Sequence, residues 1–183
     1  MARAFDGIDD KLTGWLVDQR LFFVATAPRA DDGRINVSPK GLEGTFAVVD
    51  PRTVAYLDLT GSGIETVAHL RDNGRIVVMF CAFEGPPRIV RLHGRGEAVL
   101  PDDPRFASLV ARFDDHPGVR SVIVVDVTGV TDSCGFGVPV MRFDEERTKL
   151  DEWADRKGPD GIAEYQRTRN TRSLDGLPGL STP

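Results

Sequence analysis

Asn36-Val37-Ser38-Pro39-Lys40 is the stretch whose residue types and spacing come nearest to a binding edge. In an extended strand side chains alternate between faces, so Asn36 and Ser38 share one face and Lys40 follows at its end. An amide, a hydroxyl and an ammonium in line can hydrogen-bond a polar ligand and neutralise an anionic group. Pro39 removes a backbone donor and lets the strand leave its ladder, as at an edge lining a pocket. A strand end with a solvated lysine accounts for the same residues. A second constellation is Thr60-Gly61-Ser62-Gly63, which leads into a helix with Ser62 and Glu65 at capping-box spacing. Glycines before a helix N-terminus leave backbone N–H groups free at the positive end of the dipole, which suits a phosphate. Thr60, Ser62 and Thr66 add hydroxyl donors; a well-capped strand-to-helix turn is the plainer account. The third is Cys134-Gly135-Phe136-Gly137-Val138-Pro139, where Phe136 and Gly137 can press against a flat ligand or simply form a turn that caps the core.

Other chemistries find little support. His69, His93 and His116 fall in a helix, a strand and a loop end, and read as structural or surface groups. There is no Ser/His/Asp set, HExxH or CxxC, so hydrolytic and zinc readings fall away. Neither P-loop nor dinucleotide fingerprint is present in the glycine-rich turn. No catalytic side chain and no metal ligand is therefore named.

The elements that must position these residues are mostly strands. Ile8, Leu12, Trp15 and Leu16 form the stripe of a short helix. LFFVATA, RINVSPKG, TFAVVD and TVAYLDL follow as strands, the last two joined by a tight Asp50-Pro51-Arg52 turn that makes a hairpin. The helix opened by Thr60-Gly61-Ser62-Gly63, within 60–72, stops at Asp72-Asn73-Gly74, and RIVVMFCAF is a buried strand. In RIVRLHGRGEAVL, Gly94 and Gly96 sit where a barrel strand kinks or bulges. Pro104 opens a helix with Phe106, Leu109, Val110 and Phe113 on one face, and SVIVVDVTGV and VPVMRF are the last strands. From Arg142 to Asp175 half the residues are charged, with two mostly solvated helices expected around Trp153 and Tyr165 and an extended tail after them. The expected fold is mainly β with added helices, a closed or half-closed antiparallel barrel. Residues 1–143 form the barrel and 144–183 a charged helical extension packed on it.

The 183 residues carry a net charge of −5, so nothing indicates nucleic acid or an anionic membrane as partner. The N-terminus lacks an apolar signal core, and no apolar run reaches membrane length. Two cysteines in unlike settings read as reduced thiols and a cytoplasmic protein.

In this order, LFFVATA, RINVSPKG, TVAYLDLTGSGIETVAHLRDNGRIVVMFCAF, RIVRLHGRGEAV and SCGFGVPVMRF resemble the pyridoxamine 5′-phosphate oxidase-related family of FMN-binding split barrels. The tail RNTRSLDGLPGL resembles one branch of it. The resemblance implies a six-stranded Greek-key barrel, a homodimer with FMN in the interface, and a small-molecule redox substrate. It implies ring-edge contacts from Asn36, Val37 and Ser38, with Pro39 on the same strand. The loop and helix start from Thr60 through Gly61, Ser62 and Gly63 to Thr66 would hold the phosphate, with Lys40, Ser62 and Thr66 as its contacts, and Phe136 and Gly137 would come from the partner. The S-R-K phosphate clamp of the oxidase proper falls near Ile64-Glu65-Thr66, so two cations are absent and pyridoxamine phosphate oxidation itself is not expected. The deazaflavin F420, or a non-catalytic flavin or haem carrier, are the alternatives within the resemblance.

Overall fold

The computed structural model describes residues 3–180. Its strands are β1 (Arg3–Phe5), β2 (Phe22–Thr26), β3 (Asn36–Lys40), β4 (Phe46–Asp50), β5 (Thr53–Leu59), β6 (Arg75–Cys81), β7 (Ile89–Val99) and β8 (Val119–Ser133). The helices are α1 (Asp10–Val17), α2 (Glu65–Asn73), α3 (Phe106–Val110) and α4 (Lys149–Arg169). The strands form one antiparallel sheet in the order β3-β2-β6-β7-β8-β5-β4, with β1 added to β8. The mainly β class holds, with more strands than the six expected.

The sheet is not closed by hydrogen bonds, since β3 and β4 are its two ends. It curls nonetheless. The ladder between β7 and β8 shifts register between His93 and Gly94, the bulge that the glycine suggested. A Cβ on Gly94 would lie 2.2 Å from the Asp126 carbonyl oxygen, so only glycine lets the strands approach this closely. The long β8 pairs with β7 and β5 at once and carries the curl across the sheet.

Inside the curl lies the main core. Phe22 of β2 meets Phe46 of β4, Tyr56 of β5 and Phe80 of β6, each at 5.4 Å between ring centroids, and Phe46 meets Phe80 at 5.0 Å. These aromatic contacts join strands from opposite ends of the sheet. Leu12 and Leu16 of α1, and Val67 and Leu70 of α2, plug the open sides. A smaller cluster on the outer face, Ala55, Leu57, Val99 and Val122, is covered by Phe106, Leu109, Val110 and Phe113. That is the face predicted for the α3 region.

Two expected elements differ. VPVMRF is not a strand: it makes single bonds, Val138 N–H to the Gly135 carbonyl and Met141 N–H to the Phe83 carbonyl, and no ladder. α4 is two helices merged across Gly158 (φ 63°, ψ 174°) and Pro159, in line with the two expected there. Cys81 is buried and Cys134 exposed, and neither is in a disulfide. Among the described residues no helix is long and apolar enough to cross a membrane.

Candidate functional site

The strand alternation in β3 is realised as read. Asn36, Ser38 and Lys40 are half-buried on one face, whereas Val37 and Pro39 are exposed on the other. As an edge strand, β3 tolerates a proline there. The inner face lines a groove of about 160 Å³, completed by Asp58 and Leu59 of β5, Gly61 and Gly63 of the following turn, Glu65 and Thr66 of α2, and Arg120 of β8.

At the base of the groove lies a buried ion cluster. Asp58 is fully buried and Arg120 is 4% exposed. Arg120 donates from Nε to Asp58 Oδ2 at 2.8 Å, and from a terminal nitrogen to Oδ1 at 3.1 Å. Its other terminal nitrogen donates to the Gly63 carbonyl at 2.9 Å, so the cluster also ties down the glycine turn. Ser121 Oγ donates to Asp58 Oδ2 at 3.0 Å, and Lys40 Nζ stands 3.6 Å from Oδ1. Burial by itself would raise the Asp58 pKa, but Arg120, Lys40 and the hydrogen bonds outweigh it and hold the carboxyl below its ordinary range. β3 and β5 share no ladder, so the Lys40–Asp58 pair spans the gap left by the open sheet.

Neither Asp58 nor Arg120 was singled out from the sequence. The available signal was a charged residue at an inward position of TVAYLDL and another leading into SVIVV. Charges that interrupt apolar runs are seldom buried unless paired.

A hydrogen-bond chain runs down from the groove floor. Ser38 Oγ donates to Asn36 Oδ1 at 2.9 Å. Asn36 Nδ2 donates to Thr26 Oγ1 and Thr66 Oγ1, both at 3.2 Å. Thr26 Oγ1 lies 3.0 Å from Nδ1 of His69, which is 1% exposed. Burial lowers the His69 pKa, against the opposing pull of Glu65, Asp175 and Asp72 and of a hydrogen bond to the Thr26 backbone carbonyl.

The chain matches the pyridoxamine 5′-phosphate oxidase family over residues 8–134. A pyridoxamine 5′-phosphate oxidase family protein of Aspergillus flavus, ustO, is 46% identical over 193 residues, covering 96% of this chain and 77% of that one. This chain belongs to the pyridoxamine 5′-phosphate oxidase family. Two solved structures share the fold. Group A Streptococcus HupZ has a TM-score of 0.51 at 21% identity, covering 67% of this chain and 91% of its own. The conserved hypothetical protein Rv2991 of Mycobacterium tuberculosis has a TM-score of 0.51 at 16% identity, over 79% and 98%.

In this family member the turn at 60–64 is held largely from behind. Thr60 is buried, donating its hydroxyl to the Gly118 carbonyl at 2.8 Å and accepting from Gln166 of α4 at 2.8 Å, so it does not face the groove. Ser62 is exposed and caps nothing. The helix begins at Glu65, not earlier, and the expected capping box gives way to Glu65 Oε2 accepting from its neighbour Ile64 N–H at 3.0 Å. Phe136 is 81% exposed, and neither it nor Gly137 lines the groove of its own chain.

The tail of this family member is compact where an extended segment was expected. Asn170 Nδ2 donates to the Gly61 carbonyl at 2.9 Å, and Leu174 N–H to Glu65 Oε1 at 3.2 Å. Asp175 Oδ2 accepts the Arg34 N–H at 2.7 Å and pairs with its guanidinium, while Arg71 donates to the Gly179 carbonyl. The tail thus braces the turn, the start of α2 and the loop before β3 together. These contacts join residues more than a hundred positions apart, and local sequence patterns carry no trace of them.

Proposed function

We propose that this protein is a flavin-dependent oxidoreductase acting on a small-molecule substrate, with FMN in the groove between β3 and α2. The observation that carries this reading is the in-line face of Asn36, Ser38 and Lys40 opposite the start of α2, in a chain of this family. A bound flavin supplies hydride and electron transfer, which the side chains here do not. Lys40 and the backbone N–H groups of the Gly61–Gly63 turn would hold the phosphate, while Asn36 and Ser38 would orient the polar edge of the ring. Arg120 lines the same groove, but its donors are engaged by Asp58 and Gly63, so it would add to the field at the phosphate without a direct contact.

A homodimer fits the size of the groove. At about 160 Å³ it falls short of the roughly 300–1,000 Å³ usual for a small-molecule site. A second wall would complete it. Ile35 at 74%, Val37 at 61% and Phe136 at 81% exposure are apolar surfaces available for such a contact, in which Phe136 and Gly137 would reach the partner's groove.

The deazaflavin F420 is the second reading, and one observation favours it. Asp58 and Glu65 line the same groove as Lys40 and Arg120, so the two pairs of charges offset each other. That balance suits the single charge of a phosphodiester better than a phosphomonoester dianion. Titration of the purified protein with FMN and with F420 separates the readings. A colourless protein that binds neither would end both.

Lys40→Ala should weaken FMN binding by about 1–3 kcal/mol, the effect of losing a charge-assisted contact. Glu65→Gln should tighten it severalfold, because it removes a negative charge at the helix start where the phosphate would sit. An unchanged dissociation constant in Lys40→Ala would take Lys40 out of the site.

A further inference from the structure

His69 reads from the sequence as a structural or surface histidine, yet it terminates the chain that begins at Ser38 in the groove. Every link in that chain has a direction, because a hydroxyl or an amide donates one way only. The Asn36 carboxamide could sit in either of two orientations. With Nδ2 toward Thr26 and Thr66, its two N–H groups each find a threonine oxygen at 3.2 Å, and its oxygen accepts from Ser38 at 2.9 Å. Turned over, it would offer two N–H groups to the single Ser38 oxygen and leave one unused.

Thr26 decides between the two. It is 4% exposed, so its proton needs an acceptor within the protein. If His69 Nδ1 carries a lone pair, Thr26 donates there and its oxygen stays open to Asn36 Nδ2. If Nδ1 carries a proton, it donates to Thr26, and the Thr26 proton turns to Asn36 instead, which reverses the carboxamide. Ser38 would then donate to Asn36 no longer and would point its proton into the groove.

We propose that His69 is a positioning residue that sets the direction of this chain, keeping its proton on Nε2 so that Ser38 meets the ligand as a hydrogen-bond acceptor. The ligand this selects brings an N–H or O–H donor to Ser38 Oγ, as a cyclic amide or imide does. Burial pulls the imidazole pKa down, against the charges of Glu65 and Asp72 on its own helix, of Asp175 in the tail and a bond to the Thr26 carbonyl. The inference rests on the groove being the ligand site, and it names the edge chemistry that the site reads.

Nitrogen NMR of the full chain with labelled histidine tests it without any ligand. The signal assigned to His69 by its loss in His69→Asn is expected to show the neutral tautomer protonated on Nε2. A tautomer protonated on Nδ1, or an imidazolium at neutral pH, would overturn the proposal. Binding supplies the second arm, with FMN as the probe. His69→Leu, which removes the acceptor, should weaken FMN by about tenfold or more. His69→Asn, whose side-chain oxygen can stand in for Nδ1, should remain within about threefold of the parent. Equal losses in the two variants would reduce His69 to packing and overturn the positioning role. If His69→Leu does not fold, the tautomer of the parent protein decides alone. If the parent does not bind FMN, the flavin reading falls while the tautomer still decides the direction of the chain.

Discussion

Asp58→Ala is expected to lower the unfolding free energy by about 3–5 kcal/mol, the usual consequence of removing one partner from a buried ion pair. The substitution leaves Arg120, 4% exposed and unable to shed its proton, with only the Gly63 carbonyl of its three bonds. Ser121, also buried, loses its acceptor. Lys40 is 25% exposed and can turn to solvent, so most of the loss falls on Arg120. Urea denaturation should show a lower midpoint with little change in slope. An unchanged midpoint would mean that the pair is dispensable. Replacing both Asp58 and Arg120 by apolar residues of similar volume should recover much of the loss, since no charge is then stranded.

The same carboxylate predicts how stability responds to acid. Asp58 has its pKa lowered in the folded chain, so the unfolded chain takes up the proton first as pH falls. Its stabilisation is complete above the ordinary aspartate pKa of about 3.9 and is lost as pH drops through the lower native value. His69, also lowered, acts in the same direction but sooner, its contribution being complete above about pH 6.5 and declining below it. Asp58→Asn should remove the deeper of the two acid steps. Its persistence would assign that step to other carboxylates.

Phe80→Ala should destabilise by about 3–5 kcal/mol, the range for removing a buried aromatic ring. Phe80 is fully buried between Phe22 and Phe46, at the point where rings from both ends of the sheet meet. The open sheet has no ladder to hold its ends together, so this cluster and the Lys40–Asp58 pair share that task. Phe80→Ala should therefore also weaken the FMN binding proposed above under conditions where the variant is still folded, although Phe80 does not line the groove. Phe80→Leu, which keeps most of the volume, should lose much less of both. Equal destabilisation by Leu and Ala would show that ring geometry, not filled space, is what matters there.

Local rules were enough for much of this protein. Alternation in NVSPK placed Asn36, Ser38 and Lys40 on one face, because a strand has a period of two whatever it pairs with. The Asp50-Pro51-Arg52 hairpin, the Gly94 bulge, the α2 stop at Gly74 and the break at Gly158-Pro159 follow from φ/ψ preferences and missing donors, which belong to single residues. VPVMRF has the alternation of a strand and did not become one: its backbone bonds go singly to Gly135 and Phe83, and a ladder depends on a neighbouring strand that its own sequence cannot supply. The inside of the site lay beyond such rules. Asp58 and Arg120 are 62 residues apart, Thr26 and His69 are 43 apart, and Asn170 reaches back 109 residues to Gly61. Whether a charge is paired or a histidine accepts a proton depends on what the curl of the sheet brings within about 3 Å, the reach of a hydrogen bond. The sequence by itself determined which groups could do chemistry and on which face of a strand they lie; only the tertiary structure decided which of them meet.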